Sequence, residues 1–427
     1  MADRKIISID GMGGDNAPGI VVEGLERFAK RRADLHFLLH GDEAKLAPLM
    51  AKAPTATPRT TIQHTDKFIA MDAKPADAVR RGKGSSMWNA IEAVKNGEAI
   101  AAVSAGNTGA LMGQAMFILR KAEGVERPAL AGSWPTRAGP RAMLDLGADI
   151  AATAEQLVEF AIMGQAFARV VNGVAQPRVA LLNIGSEELK GHESIREAAR
   201  LIRGSNLQMD FRGYIEADKI GYGDIDVVVT DGFTGNVSIK TAEGIAKMIS
   251  DMLRDALKSG PVAMLGALLV LPALSKMRAK MDPRKTNGGV FLGLNGVVVK
   301  SHGGTDAIGF EQAISVAAGM GESHFRTEVE DNLKRLSASI AAAAAAPATR
   351  SPAAPPREDG SSQKTPRAGR SAPAASPNSF ANSSACLQAQ SAFRCRDCSA
   401  ATRCSARRGG GAFPEFPARA SIARGRR

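Results

Sequence analysis

Short runs of β-branched and aliphatic residues recur along the first 340 positions: Ile6–Ile9, Leu35–Leu39, Ala99–Val103, Val179–Leu182, Asp226–Val229 and Val297–Val299. Between them lie stretches with apolar residues at helical spacing, among them Val21–Arg31, Gly109–Arg120, Glu155–Val171 and Gly235–Leu257. Runs of three to five residues suit strands buried on both faces, and the longer periodic stretches suit amphipathic helices. Strand–helix alternation of this kind predicts an α/β layer fold: a mostly parallel sheet with helices on both faces. In such sheets ligands gather outside the carboxyl ends of the strands, so the residues after each apolar run are the candidate site.

Composition changes this picture at one place. Beyond residue 340 come a poly-Ala run and then Pro, Ser, Ala and Arg without periodicity. That segment cannot bury enough apolar surface to offset its ordering entropy, so 341–427 is predicted to be an unstructured extension of a 1–340 catalytic domain. It also carries ten of the twelve net positive charges and all four cysteines, Cys386, Cys395, Cys398 and Cys404. The body is left nearly neutral and free of thiols. Near-neutrality argues against nucleic-acid binding as its main business, and the lack of thiols excludes thiol catalysis, a zinc site and a disulfide framework from it. The N-terminus shows no cleavable apolar segment, and no stretch reaches the ~20 apolar residues of a membrane span. A cytoplasmic protein is expected.

The turns after the strands are rich in glycine and short polar residues. The first is Asp10-Gly11-Met12-Gly13-Gly14-Asp15-Asn16-Ala17-Pro18. A dinucleotide fingerprint needs a further glycine at position 16, where Asn16 stands, so the Rossmann reading fails on spacing. Backbone approach to a ligand and a plain tight turn capped by Asp10 and Asp15 both fit. The second, Ser104-Ala105-Gly106-Asn107-Thr108-Gly109, opens an apolar helix and presents free N–H groups to an anion, or is simply an N-cap. The others are Asn183-Ile184-Gly185 through Lys190-Gly191, Asp231-Gly232-Phe233-Thr234-Gly235-Asn236, Asn287-Gly288-Gly289 and Ser301-His302-Gly303-Gly304. Lys240 stands one helical turn after Asn236, on the same face. His302 is the one histidine in a glycine-flanked position at a strand end, whereas His36 and His40 flank strand residues. If all these turns share one rim of the sheet, they form an anion cradle rich in amides and lysines and poor in nucleophiles. There is no Gly-x-Ser-x-Gly elbow and no His-Glu-x-x-His.

Together these turns resemble the signatures of the PlsX family, the phosphate acyltransferases of bacterial phospholipid synthesis. Met71-Asp72 with Pro75, Ala78-Val79-Arg80, Ser85-Ser86-Met87 and Leu144-Asp145-Leu146-Gly147 match as well, over about residues 4–335. Gly11, Gly84 and Asp149 are mild departures. The resemblance implies transfer of a long-chain acyl group from acyl carrier protein to inorganic phosphate, without cofactor or metal. It also implies a homodimer, a fold similar to phosphotransacetylases and isocitrate-type dehydrogenases, and delivery of product to a membrane-bound glycerol-3-phosphate acyltransferase. From residue type, Asn107 and Thr108 are assigned to phosphate, Lys190 to charge neutralisation, and Asn236 with Lys240 to oxyanion or phosphate, with His302 as a further catalytic candidate. The expected substrate-binding set is completed by Asp10, Gly13, Gly14, Asp15, Gly106, Gly109, Asn183, Gly185, Asp231, Gly232, Thr234, Gly235, Asn287 and Gly288. The alternatives are a nicotinamide-dependent dehydrogenase on the same kind of fold and a non-catalytic scaffold binding lipid or carrier protein.

A last feature is a charge-free run, Ser259–Ser275, broken by Pro261 and Pro272 and flanked by Arg254, Lys258, Lys276, Arg278 and Lys280. It is too short to span a bilayer. It fits either a buried core helix or a helical tip, about 250–285, resting peripherally on the inner face of the cell membrane.

Overall fold

A computed structural model describes residues 5–280 and 282–345. Every described residue belongs to one compact unit within Met1–Arg350. The extension lies outside the described residues from position 346 onward, as do all four cysteines. Helix continues through Ala345, past the boundary at 340 that composition suggested. Alanine is the best helix former, so the poly-Ala run extends the helix before it.

Among the described residues the strands are β1 (Ile6–Asp10), β2 (His36–Gly41), β3 (Thr60–His64), β4 (Ala101–Ser104), β5 (Ala129–Trp134), β6 (Arg141–Leu144), β7 (Arg178–Leu182), β8 (Asp210–Ile215), β9 (Val227–Val229), β10 (Gly289–Leu292) and β11 (Val297–Lys300). They form one sheet in the order β3-β2-β1-β4-β11-β10-β5-β6-β9-β7-β8. All pairings are parallel except β11–β10, β10–β5 and β5–β6. Three successive reversals have a consequence for function. The strands from β3 to β11 run one way, and β6, β9, β7 and β8 run the opposite way.

The helices are α1 (Gly19–Arg31), α2 (Glu43–Met50), α3 (Pro75–Arg81), α4 (Ser86–Lys95), α5 (Thr108–Leu119), α6 (Ala154–Val171), α7 (Glu193–Gly204), α8 (Gly232–Leu257), α9 (Pro261–Lys280), α10 (Ala307–Glu322) and α11 (Phe325–Ala345). Period-two alternation sorts strand side chains between two faces. Ile7, Ile9, Val103, Val297, Val299, Val179 and Val227 pack into one cluster with α1, α6 and α10. Their neighbours Ala102 and Val298 join α4 and α5 on the other face, and Ala180 and Val228 a third cluster. The expected three-layer α/β architecture is the one observed.

α8 and α9 depart from this layering. Of the 26 residues of α8 only Gly232 and Gly235 are buried. It exposes Ile245, Met248, Ile249 and Met252, spaced as one stripe of a helix. α9 instead exposes Val262, Met264, Leu265, Leu268, Leu269, Val270 and Leu271, which face all round its axis. No helix among the described residues is long and apolar enough to cross a membrane.

Candidate functional site

The strand directions overturn the expectation that every turn shares one rim. The turns after β1, β4 and β11 lie at one edge of the sheet, together with the start of the antiparallel β10. The turns after β6, β9 and β7 lie at the opposite edge. Four strand spacings, about 19 Å, separate β11 from β9. A single phosphate cannot touch both sets within one chain.

At the first edge the polar groups interlock. Asp10 is buried, and its carboxylate accepts from Ser104 Oγ at 2.7 Å and from Met12 N at 3.2 Å. Ser104 Oγ in turn accepts from Gly106 N at 3.0 Å. Burial pushes the Asp10 carboxyl up, while the Ser104 and Ser86 hydroxyls pull the other way. A Cβ on Gly13 would run into Asp10 Oδ2 and stand 2.7 Å from Gly106 N, so only glycine lets the two turns approach. Asp15 N donates to Gly303 O at 3.0 Å, tying the β1 turn to the β11 turn. Exposed His302 accepts from Gly304 N on Nδ1. Thr108, also exposed, begins α5, whose first-turn N–H groups face this edge.

Three of the four asparagines read as ligands are already committed to the fold. Asn107 caps α5 by accepting from Ala110 N, and its Nδ2 donates to Met71 O and Ala73 O. Asn287 accepts from His302 N and donates to Ser301 Oγ and Gly309 O. Asn183 accepts from Ile184 N and donates to Lys190 O. Each amide thus pins a turn and has little left for a substrate.

The second edge is built on Asp145, fully buried after β6. Its carboxylate accepts from the backbone N–H groups of Leu130, Gly147, Ala148 and Asp149. Asp231 caps α8 by accepting from Thr234 N and Oγ1. Cβ atoms on Gly232 and Gly235 would strike Asp149 O and Asp145 O, so these glycines seat the first turn of α8 on the 145–149 loop. Asp231, Gly232, Thr234 and Gly235 are therefore packing and capping residues. Asn236 is different: it lies beside Gly147, and its amide carries no hydrogen bond among the described residues. Lys240 is exposed. Lys190, also exposed, is paired with Glu187 at 2.7 Å, which raises its pKa, and its stem covers Gly185.

The sequence reading passed over Lys300, the last residue of β11. Its ammonium donates to Ala105 O at 3.2 Å and to Ser301 O, at the first edge. Burial pushes it down to about 8, against the attraction of Asp15 and Asp10. The available signal was a lysine ending an all-valine run, Val297–Val299, just before Ser301-His302-Gly303.

The profile of the family described as "Fatty acid synthesis protein" matches residues 6–328. The chain belongs to that family. The resemblance read from the turns holds over residues 6–328. Phosphate acyltransferase of Caulobacter vibrioides is 54% identical over 342 residues, covering 80% of this chain and 95% of the relative. Phosphate acyltransferase of Maricaulis maris is 53% identical over 333 residues, covering 77% and 95%. Among solved structures, a phosphotransacetylase from Streptococcus pyogenes superposes with a TM-score of 0.51 at 19% identity, covering 75% of this chain and 95% of its own. At that identity the likeness speaks for the fold, and it agrees with the layered sheet described above.

Proposed function

We propose that this chain transfers a long-chain fatty acyl group from the thioester of acyl carrier protein to inorganic phosphate, giving an acyl phosphate for phospholipid synthesis. The observation that carries the reading is the first edge: glycine turns held open by close packing, a helix N-terminus and a cation, on a body without a cysteine. Among the described residues its one close Ser–His pair, Ser8 with His40 at 2.9 Å, is buried, and burial pushes the imidazole down to about 4. That pair serves the core. An anionic substrate supplies its own nucleophile, and a thiol with a pKa near 8.5 leaves without a strong acid. What the protein adds is position and countercharge. The naming of the relatives as phosphate acyltransferases supports the same chemistry.

The test is incubation with an acyl carrier protein thioester, with and without phosphate, trapping acyl phosphate with hydroxylamine. Acyl hydroxamate should form only when phosphate is present. Thioester loss that ignores phosphate, or that requires a nicotinamide cofactor, overturns the reading.

The proposal extends to a homodimer and to peripheral contact with the inner membrane face. The one-sided stripe of α8 suits a second helix, hence a second copy of the chain. The all-round apolar surface of α9 suits lipid, where a greasy product would pass to a membrane-bound glycerol-3-phosphate acyltransferase. Changing Leu268 and Leu271 to Glu should weaken co-sedimentation with anionic vesicles while turnover on soluble thioester is kept. Unchanged co-sedimentation would refute the lipid contact, and loss of the dimer instead would assign α9 to the subunit interface.

A further inference from the structure

On the acyl-to-phosphate reading above, we propose that Lys300 is a catalytic residue whose ammonium contacts the phosphate nucleophile directly. Its place in the fold is the first ground. β11 lies between β4 and β10, so its carboxyl end emerges where the turns after β1, β4 and β11 meet. Lys190 and Lys240, the lysines read from sequence, stand at the opposite edge.

The second ground is how the ammonium is held. A lysine has three N–H donors. Two are engaged by the carbonyls of Ala105 and Ser301, which fix the amine in place, and the third is left for a ligand. Among the described residues no carboxylate forms an ion pair with Lys300, whereas Lys190 is spent on Glu187. Holding a cation partly away from water on two carbonyls, with Asp15 and Asp10 attracting it but not ion-paired to it, is costly unless a countercharge arrives. A phosphate dianion is that countercharge. The first turn of α5, which starts at Thr108, lies alongside to share it.

In the reaction a phosphate oxygen bonds to the thioester carbon and the C–S bond breaks, its electron pair leaving on sulfur. The proton of monohydrogen phosphate ends on the departing thiolate, and Lys300 stays protonated throughout.

The experiment compares wild type, Lys300→Met and Lys300→Arg as full chains. It reads kcat, the KM for phosphate, the KM for thioester, and the shift in Tm produced by inorganic phosphate. For Lys300→Met, kcat/KM for phosphate should fall about 10²-fold, the KM for thioester should hold, and phosphate should no longer raise Tm. Lys300→Arg keeps the charge and should recover part of the loss. Methionine fills the same volume without a buried charge, so the fold is expected to survive. If it does not, the arginine variant decides, since its KM for phosphate must move while that for thioester stays. A phosphate KM within twofold of wild type in the folded methionine variant overturns the proposal. Wild type that makes no acyl phosphate overturns the activity reading instead, and the phosphate-dependent Tm shift then decides whether Lys300 binds the anion.

Discussion

Asp145→Ala is expected to lower the unfolding free energy by about 3–5 kcal/mol. The carboxylate is fully buried and is the shared acceptor for four backbone N–H groups, two of them closer than 3.0 Å. Burial pushes its acidity in the unfavourable direction, and those four donors oppose the push. Alanine would leave the donors without an acceptor where water cannot replace it. The damage would spread, because Asp145 O also receives the closest approach of Gly235 in α8. Asp145→Asn should cost less: its carbonyl keeps the bonds made by Oδ1, while its NH₂ opposes Asp149 N. Urea denaturation of the three proteins checks both. A loss under about 1 kcal/mol for Asp145→Ala would show that the loop finds other acceptors.

Asn236→Ala is expected to lower turnover by about 10²–10³ with little change in Tm, the size of effect seen when one donor to developing charge is removed. Among the four candidate asparagines it alone has an amide that the fold leaves unspent. Asn287→Ala supplies the contrast, because its side chain ties the β10 and β11 turns together, so stability should fall along with activity. A wild-type rate in folded Asn236→Ala would make Asn236 an ordinary residue of the first turn of α8. If Asn236→Ala and Lys300→Met are both inactive, opposite edges of the sheet, on strands about 19 Å apart within one chain, serve one reaction. The proposed homodimer would then bring together edges from two copies. Mixing the two variants would restore about a quarter of the wild-type rate, since half the dimers are mixed and one of their two sites is intact. No recovery on mixing would mean that each chain uses its own two edges.

Much of the fold follows from short-range pattern. The runs at Ile6, Val179, Asp226 and Val297 became strands, and Val21–Arg31 and Glu155–Val171 lie within α1 and α6, because burial on both faces and helical periodicity are local properties. The interior strands β5 and β6 escaped notice, and so did β3, Thr60–His64, and β8, Asp210–Ile215, the two outer strands, which carry polar residues on their open sides. Outer strands are blunted in this way against pairing with other chains, which removes the very signal that marks a buried strand. The glycine turns, their family membership and the absence of thiols from the body were likewise written in the chain.

What sequence left open was direction and partnership. A four-residue apolar run reads the same whichever way the strand runs, so only the assembled sheet, reversed at β10, β5 and β6, could divide the turns between two edges. An asparagine in a turn has the same composition whether its amide is bound to carbonyls 34 residues away, as in Asn107 to Ala73, or is left open, as in Asn236. Lys300 looks like any lysine after a strand until Ala105, distant in sequence, supplies the carbonyl that holds its amine. Periodicity is set by neighbours along the chain, whereas hydrogen-bond partners and burial are set by neighbours in space, and those exist only once the sheet has closed around them.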